Sequence, residues 1–183
     1  MAIVHRAEIT PPKLEIISWW LPRQDWFTED GPVDREATFR VDDPAGEVGI
    51  ETFIIRSGSF TFHVPLTYRA EPLDGGLLVG EVEHSVLGHR WVYDGPSDPV
   101  YVATTAAVIA GGGHEVDMFF EDGTQVPRQE WAASVSGSGT PGGIAAGSLV
   151  VARSLPAPVP AGVPTLDATW AGLDSMVTLA WLA

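Results

Sequence analysis

The segment FTFHVPLTYR at residues 60–69 has the clearest two-residue period in the chain. Its aromatic and aliphatic residues alternate with threonine, histidine and proline, so the pattern predicts a β-strand with one apolar face. Ser57-Gly58, directly before it, predicts a hairpin turn from a preceding strand. Pro65 has no N–H to donate to a neighbouring strand, which predicts an edge position or a bulge.

Segments on both sides of this strand have strand-like patterns and are separated by turn residues. Asp42–Gly46 and Asp74–Gly76 are rich in Asp, Pro and Gly, the residues that tight turns favour. Short turns between consecutive strands favour antiparallel pairing. The sequence therefore predicts a curved, mostly antiparallel sheet, connected as a meander, from residues 36–41, 48–56, 60–69, 77–84 and 88–93.

An amphipathic helix is predicted before the sheet, over Pro11–Leu21. Thr10 is suited to the N-cap, and a proline is well suited to the first helical position. Leu14, Ile17 and Leu21 recur with helical spacing, so we expect them to be buried against the sheet. A helix packed on an antiparallel sheet corresponds to the α+β class.

A second helix is predicted over Val100–Ala110, ending at the glycine run 111–113. This run is the predicted boundary between a first domain, residues 1–112, and a β-rich C-terminal extension, residues 113–183. The extension is expected to contain further strands, either continuous with the first sheet or in a separate layer. Within it, Ser136–Gly139 is interpreted as a flexible loop.

Composition indicates an acidic globular protein, since 45% of its 183 residues are hydrophobic and 19% are charged. Its formal charge of −14, from 24 acidic and 10 basic residues, disfavours nucleic acid and anionic membranes as partners. No apolar run is long enough to span a membrane, and the start has no signal-peptide pattern. The absence of cysteine agrees with a reducing compartment, so we expect a cytoplasmic protein.

The block from Glu83 to Gly95 concentrates polar and aromatic side chains within a few residues. Trp91 and Tyr93 share one strand face, where they could stack on a sugar or on a partner's side chain, or else cover a core. The residues to which we assign ligand or partner binding are His84, His89, Arg90, Trp91, Tyr93 and Asp94.

No catalytic, metal-binding or cofactor-binding pattern is recognised. His63, His84 and His89 could meet across neighbouring strands, but none of them has the spacing of a helical metal site. The glycine run 111–113 follows a helix rather than a strand, which is typical of a helix end and not of a phosphate-binding loop. We therefore predict no catalytic residue, no metal and no cofactor.

Several segments occur together in a characteristic order. They are MAIVHR at residues 1–6, TPPKL at 10–14, WWLP at 19–22, FRVDDPAGEVGIE at 39–51, HVPLTYR at 63–69, LGHRWVYDG at 87–95 and DPV at 98–100. In this order they resemble the N-terminal cap domain of bacterial maltokinases. The resemblance spans about residues 2–112.

The resemblance implies a curved antiparallel sheet with a helix, beside the nucleotide-binding lobe of an ATP-dependent kinase that makes maltose 1-phosphate on the route from trehalose to glycogen. Such a kinase needs a strand lysine, a catalytic-loop Asp and metal-binding residues. Here Lys13 is the only lysine, His89-Arg90 is followed by Trp91, and Asp-Phe-Gly does not occur. Since the residues after 112 are too few for the kinase lobes, we expect an orphan cap without its kinase body.

Two functions of different class follow. The favoured one is a non-catalytic accessory or regulatory module that docks on another protein, such as an enzyme of glycogen or trehalose metabolism. The resemblance is to a domain that accompanies catalysis, and an acidic surface suits electrostatically guided contacts. The alternative is a small-molecule or glucan-binding domain, and an unrecognised enzyme is a third interpretation.

Overall fold

The computed structural model describes the backbone of residues 2–5 and 7–183, and the side chains of all of these except residues 2–4. Helix α1 is Lys13–Trp20 and helix α2 is Pro99–Gly111, with short 3-10 turns at Leu21–Arg23 and Gly95–Ser97. Neither described helix has the length and hydrophobicity of a membrane-spanning segment. The strands are β1 (Ala2–Val4), β2 (Ile9–Thr10), β3 (Asp34–Asp42), β4 (Gly49–Ser57), β5 (Phe60–Arg69), β6 (Leu78–His84), β7 (Gly88–Asp94), β8 (Met118–Phe120), β9 (Ser134–Gly137), β10 (Leu149–Val151), β11 (Ser154–Leu155), β12 (Thr165–Thr169) and β13 (Val177–Leu182).

The central sheet has the order β2-β6-β7-β5-β4-β3, and β11 pairs with the outer part of β5. All of its pairs are antiparallel. Together with helix α1, this curled sheet confirms the predicted α+β class. One connection differs from consecutive pairing, because β7 and not β6 lies beside β5. The chain therefore passes to the far strand β6 first and returns through the β6–β7 hairpin.

Pro65 lies in an inner strand, β5. On one side of β5, two shorter strands pair with its two halves, and Pro65 is opposite the gap between them. Strand β7 pairs with residues 66–69 of β5, whereas β11 pairs with residues 61–62. The amide of His63 donates to the carbonyl of Arg153 at 2.9 Å on the β11 side. The nitrogen of Pro65 points to the same side, because backbone groups two residues apart in a strand share a direction. The expected edge or bulge is thus replaced by this gap, where no N–H donor is required.

Both faces of the central sheet are covered. On the first, which we call the α1 face, helix α1 and Phe27 pack on a cluster that includes Phe53 and Phe62. On the second, the α2 face, helix α2 and a second antiparallel sheet of order β10-β13-β12-β9 pack on the other side of the strands. This double cover explains why His63 and Thr67, which alternate with the apolar residues of β5, are fully buried.

Residues 113–183 take part in the core on the α2 face. Leu166 and Leu179 belong to the same buried cluster as Phe39 and Ile50 of the central sheet. Strand β11 also extends that sheet by pairing with β5. The division of the chain at residue 112 stays a prediction.

Helix α1 begins two residues later than the sequence suggests. Thr10 is not its N-cap, because Thr10 is the last residue of β2 and pairs with Glu83 of β6. The helix therefore starts at Lys13, after the two prolines.

The buried face of α1 is also rotated from the predicted one. Ile17 and Leu21 are fully buried as expected, but Ile16 is buried too and Leu14 is only partly buried. The helix packs against β6, where a Cβ atom on Gly80 would lie 3.4 Å from Cβ of Ile16. Ile16, rather than Leu14, therefore lies against the sheet at Gly80.

Helix α2 has the ends that the sequence predicts. The side chain of Asp98 accepts a hydrogen bond from the amide of Val100 at 2.9 Å, as an N-cap residue does. Gly112 ends the helix with a φ of 65°, in the left-handed region that glycine adopts without steric cost.

The Gly/Ser-rich segment after residue 133 is not the flexible loop that its composition suggests. Its first part is strand β9, which pairs with β12. Beyond it, Gly139 donates to the carbonyl of Ile109 at 2.9 Å and Thr140 to that of Ala110 at 3.1 Å. A Cβ atom built on Gly139 would overlap the Ala110 carbonyl. Glycine is therefore required there, because the segment lies directly on the backbone of the last turn of α2.

Candidate functional site

Helix α1 covers only part of the α1 face and leaves a cleft at one end of the sheet. The cleft has a volume of about 540 Å³, within the usual range of small-molecule sites. One rim is the last residue of β3 together with the turn that leads to β4, at residues 42–48. We call it the sheet-end cleft, and its polar floor is formed by Lys13, Arg40, Glu51, Tyr68, His84 and Arg90.

Strand register explains why these side chains meet. Arg40 of β3 lies opposite Glu51 of β4, and side chains of directly opposed residues project from the same face. Tyr68 is opposite Val92 of β7, a buried residue of the α1 face, and Arg90 follows from Val92 by the two-residue period. Lys13 enters from the first turn of α1.

An ion pair lies at the centre of the floor. Lys13 Nζ donates to a carboxylate oxygen of Glu51 and lies 5.0 Å from the centre of the Tyr68 ring. Burial alone would raise the pKa of Glu51, but the charges of Lys13 and Arg40 hold that pKa below its usual value. Burial and the neighbouring Glu51 charge raise the pKa of Tyr68 well above its usual value. At neutral pH, Glu51 is therefore ionised and Tyr68 retains its proton.

Two polar atoms of the floor are buried and have no hydrogen-bond partner among the described residues. They are Nε of Arg40 and the hydroxyl oxygen of Tyr68. Most buried polar atoms in proteins are hydrogen-bonded, so such atoms indicate a place where a water molecule or a ligand binds. Both residues line the sheet-end cleft.

The rim of the cleft carries carboxylates. Asp43 accepts hydrogen bonds from the amides of Ala45, Glu47 and Val48 at 3.0 Å each. Burial acts to raise the pKa of Asp43, but these amide hydrogen bonds keep it below its usual value. Glu47 is exposed in the same turn. The cleft thus has mainly hydrogen-bond donors on its floor and acceptors on its rim.

Two of the six residues predicted to bind a ligand or partner line this cleft. His84 ends β6, and its Nδ1 accepts hydrogen bonds from the amides of Val86 and Leu87 at 3.3 and 3.1 Å. Burial and the nearby charges of His5 and Arg90 lower its pKa. Arg90 donates from Nη1 to the carbonyl of His89 at 2.7 Å.

His89 and Trp91 alternate with Arg90 along β7 and therefore lie on the opposite face of the strand. The His89 ring lies between two carboxylates, 3.0 Å from Glu81 and 2.6 Å from Glu83. Its hydrogen bond to Glu83 is the main reason why its pKa is raised. The Trp91 ring contacts the His89 ring edge-on, with 4.3 Å between their centres.

Tyr93 and Asp94 are buried and are held by other parts of the protein. Tyr93 is 4% exposed, and its hydroxyl accepts a hydrogen bond from the amide of Leu73 at 2.8 Å. It therefore belongs to the packed interior and does not form an open stacking surface with Trp91. Asp94 forms an ion pair with Arg153. Burial raises the pKa of Asp94, although the charge of Arg153 opposes this effect.

Sequence reasoning missed four floor residues, Lys13, Arg40, Glu51 and Tyr68. The elements that carry them were predicted, a helix for Lys13 and strands for the other three, and the two-residue period gives each strand side chain one of two faces. What the sequence lacks is the register that aligns β3 with β4 and β5, and the position at which α1 stops covering the sheet. Without the register and the position of α1, the sequence does not show that residues from separate elements form one cleft.

Comparison with known proteins identifies one family. Residues 20–98 match the family model of the maltokinase N-terminal cap domain. No similar curated protein and no similar solved structure was found. The matched segment contains strands β3 to β7 and every floor residue of the sheet-end cleft except Lys13. Residues 20–98, which include five strands of the central sheet, are therefore similar to the maltokinase N-terminal cap domain.

Proposed function

We propose that this protein is a non-catalytic accessory module that docks on another protein in the cytoplasm, in the metabolism of glycogen, trehalose or maltose 1-phosphate. The observation that carries the proposal is the match of residues 20–98 to a domain named as the N-terminal cap of a kinase. A cap accompanies a catalytic domain, so contact with a second protein surface is the role that its name suggests.

The chemistry of the chain supports a non-catalytic role. A sugar kinase of this type places a lysine on the nucleotide phosphates and carboxylates on magnesium. Lys13 is the only lysine in the sequence, and it lies on the first turn of helix α1. Its ammonium group is bound by the carboxylate of Glu51.

We expect the purified chain not to transfer phosphate from ATP to maltose, glucose or glucosamine. Incubation with magnesium and ATP, followed by chromatographic detection of sugar phosphates, checks this. A Lys13→Met variant is the control, since contaminating kinase activity would be the same in both preparations. Turnover that the wild-type protein shows and the variant lacks would contradict the proposal.

A candidate docking surface lies along α1 and β6. Trp19 is 54% exposed on α1, Leu77 is 58% exposed just before β6, and Leu78 is 46% exposed as the first residue of β6. Because helix α1 packs against β6, we propose that these side chains contribute to one surface. We call this surface the β6 edge.

The backbone of β6 suggests how a partner binds there. On the side away from β7, only Glu83 and His84 pair with another described strand, the two-residue β2. An extended segment of a partner can add to such an edge through main-chain hydrogen bonds, while apolar side chains provide specificity. A partner with a basic surface fits best, because the chain has a formal charge of −14.

We expect the immobilised protein to capture a partner from an extract of the source cells through the β6 edge. Trp19→Glu or Leu78→Glu should reduce the captured amount by at least about tenfold, as substitution of an interface hot spot does. Ile144→Glu is the matched control, because Ile144 is 90% exposed in the loop between β9 and β10. Equal capture by all three variants would contradict docking at this surface.

Affinity electrophoresis in glycogen or maltodextrin gels tests the alternative, a glucan-binding domain. Docking without sugar binding predicts no retardation of the wild-type protein. Retardation that Trp91→Ala abolishes, with an unchanged circular dichroism spectrum, would replace the docking proposal by glucan binding.

A further inference from the structure

We propose that the sheet-end cleft binds a small polyhydroxylated anion, a sugar phosphate or a sugar acid. The inference is independent of the protein-docking proposal, because it concerns the interior of the cleft and not the β6 edge.

The first argument is the balance of charge on the floor. Lys13, Arg40 and Arg90 line the floor as cations, and Glu51 is the carboxylate among them. The other carboxylates that line the cleft, Asp42, Asp43 and Glu47, lie at the rim. Glu51 is already bound by Lys13. The cations are therefore grouped on the floor and the carboxylates mainly at the rim, in a protein whose formal charge is −14. Cations that a cleft retains within so acidic a chain favour an anionic ligand.

The second argument is the hydrogen-bonding capacity that the floor leaves unused. Arg40 Nε and the Tyr68 hydroxyl are buried without a partner among the described residues. The one side-chain hydrogen bond found for Arg90 goes to a backbone carbonyl. Guanidinium groups match the oxygen atoms of phosphate and carboxylate, and a protonated tyrosine hydroxyl can also donate to them.

The third argument is the different chemistry of the rim. The turn at residues 42–48 carries acidic side chains, and Glu47 is exposed there. Carboxylates accept hydrogen bonds from hydroxyl groups but repel a second anionic group. A ligand with one anionic end and several hydroxyl groups therefore satisfies both the floor and the rim. The volume of about 540 Å³ is larger than a simple inorganic ion requires.

The test uses three molecules that contain the six-carbon chain of glucose: glucose, gluconate and glucose 6-phosphate. NMR titration of the complete chain is expected to give saturable binding of one or both anions, with shifts confined to residues around the cleft. Neutral glucose should bind at least about tenfold more weakly, since it lacks the charge-assisted hydrogen bonds. Gluconate and glucose 6-phosphate distinguish the carboxylate source of the anionic group from the phosphate source.

Three variants test the floor residues Arg40, Arg90 and Tyr68, and a fourth variant is a control. Arg40→Met and Arg90→Met should each weaken binding by about tenfold to a hundredfold. Arg23→Met is the matched control outside the cleft and should bind as the wild type does. Tyr68→Phe is the most informative variant, because it removes only a buried hydroxyl group, which has no well-formed hydrogen bond to a described residue but interacts with Glu51. It should weaken binding by about twofold to tenfold while the protein remains folded.

The proposal is overturned if neither anion binds at millimolar concentration, or if glucose binds as tightly as the anions. Equal binding by Arg40→Met, Arg90→Met and the wild type also overturns it. If inorganic phosphate binds as tightly as glucose 6-phosphate, the rim does not bind the hydroxyl groups of the ligand, and this part of the proposal is wrong. Trp19→Glu should bind the anion normally, so that failure of docking and failure of ligand binding are observed separately.

Discussion

Replacing Ile17 with alanine is expected to lower the free energy of unfolding by about 2–5 kcal/mol. Ile17 is 0% exposed and lies in the cluster that joins α1 to the central sheet. The substitution removes buried apolar surface and leaves a cavity that rigid strands on one side cannot fill. Urea unfolding followed by far-UV circular dichroism measures the change.

Leu14→Ala and Trp19→Ala are the controls for this prediction. Leu14 is only partly buried at the edge of the same cluster, so its truncation should cost less than that of Ile17. Trp19 is 54% exposed and should change stability by no more than about 0.5 kcal/mol. If Leu14→Ala destabilises the protein more than Ile17→Ala, the orientation of α1 described above is incorrect.

The second large effect is expected at the ion pair between Arg153 and Asp94. Arg153→Met should destabilise the protein by about 3–5 kcal/mol at neutral pH, because it leaves the Asp94 carboxylate buried without a cation. The carboxylate side chain is 5% exposed and that of Arg153 is 17% exposed, so water replaces the lost partner only poorly. Methionine keeps much of the apolar contact of Arg153 with the Trp26 ring, which lies 4.8 Å from the guanidinium carbon.

The pH dependence of this variant has a definite sign. Burial raises the pKa of Asp94 and Arg153 opposes the rise, so removing Arg153 should raise that pKa further. A carboxyl group whose pKa is higher in the folded state than in the unfolded state destabilises the fold when it is ionised. The deficit of Arg153→Met relative to wild type should therefore shrink as the pH falls through the raised pKa toward 3.8, the ordinary value.

A double variant separates the charge from the packing. Asp94→Asn combined with Arg153→Met contains no buried charge at this position and should be more stable than Arg153→Met alone. Chemical denaturation of the four proteins of this cycle gives the coupling energy. A double variant less stable than both single variants would show that packing, and not the unpaired charge, causes the loss.

The parts of the fold that neighbouring residues determine could be predicted from the sequence, whereas the parts that depend on distant residues could not. Strand β5 and helix α2 follow from periodicity and capping residues, and the structure contains both. The hairpin turn predicted at Ser57-Gly58 is also present, one residue later, at Gly58 and Ser59. The placement of β7 between β5 and β6 has no local signal, because it depends on which strands bury the most apolar surface together. The start of α1 was misplaced for the same reason, since Thr10 pairs with a strand more than 70 residues later.

The candidate site was only partly predictable. His84 and Arg90 were selected for their proximity in sequence to Trp91 and Tyr93, yet residues that alternate along a strand project to opposite faces. The cleft instead combines them with Arg40, which comes from β3. The family could be recognised from the order of its segments, and the match at residues 20–98 confirms that recognition.

The contact between the glycine-rich segment and α2 has a consequence for the order of folding during synthesis. The carbonyl of Ile109 accepts a hydrogen bond from the amide of Gly139, 30 residues later in the chain. At about 5–20 residues per second, a ribosome makes that amide roughly 2–6 s after the helix. Strands β3 to β7 can pair within that interval, while the last turn of α2 still bonds to water. The last carbonyl groups of α2 therefore gain their protein partners only after residues 139–140 have been made.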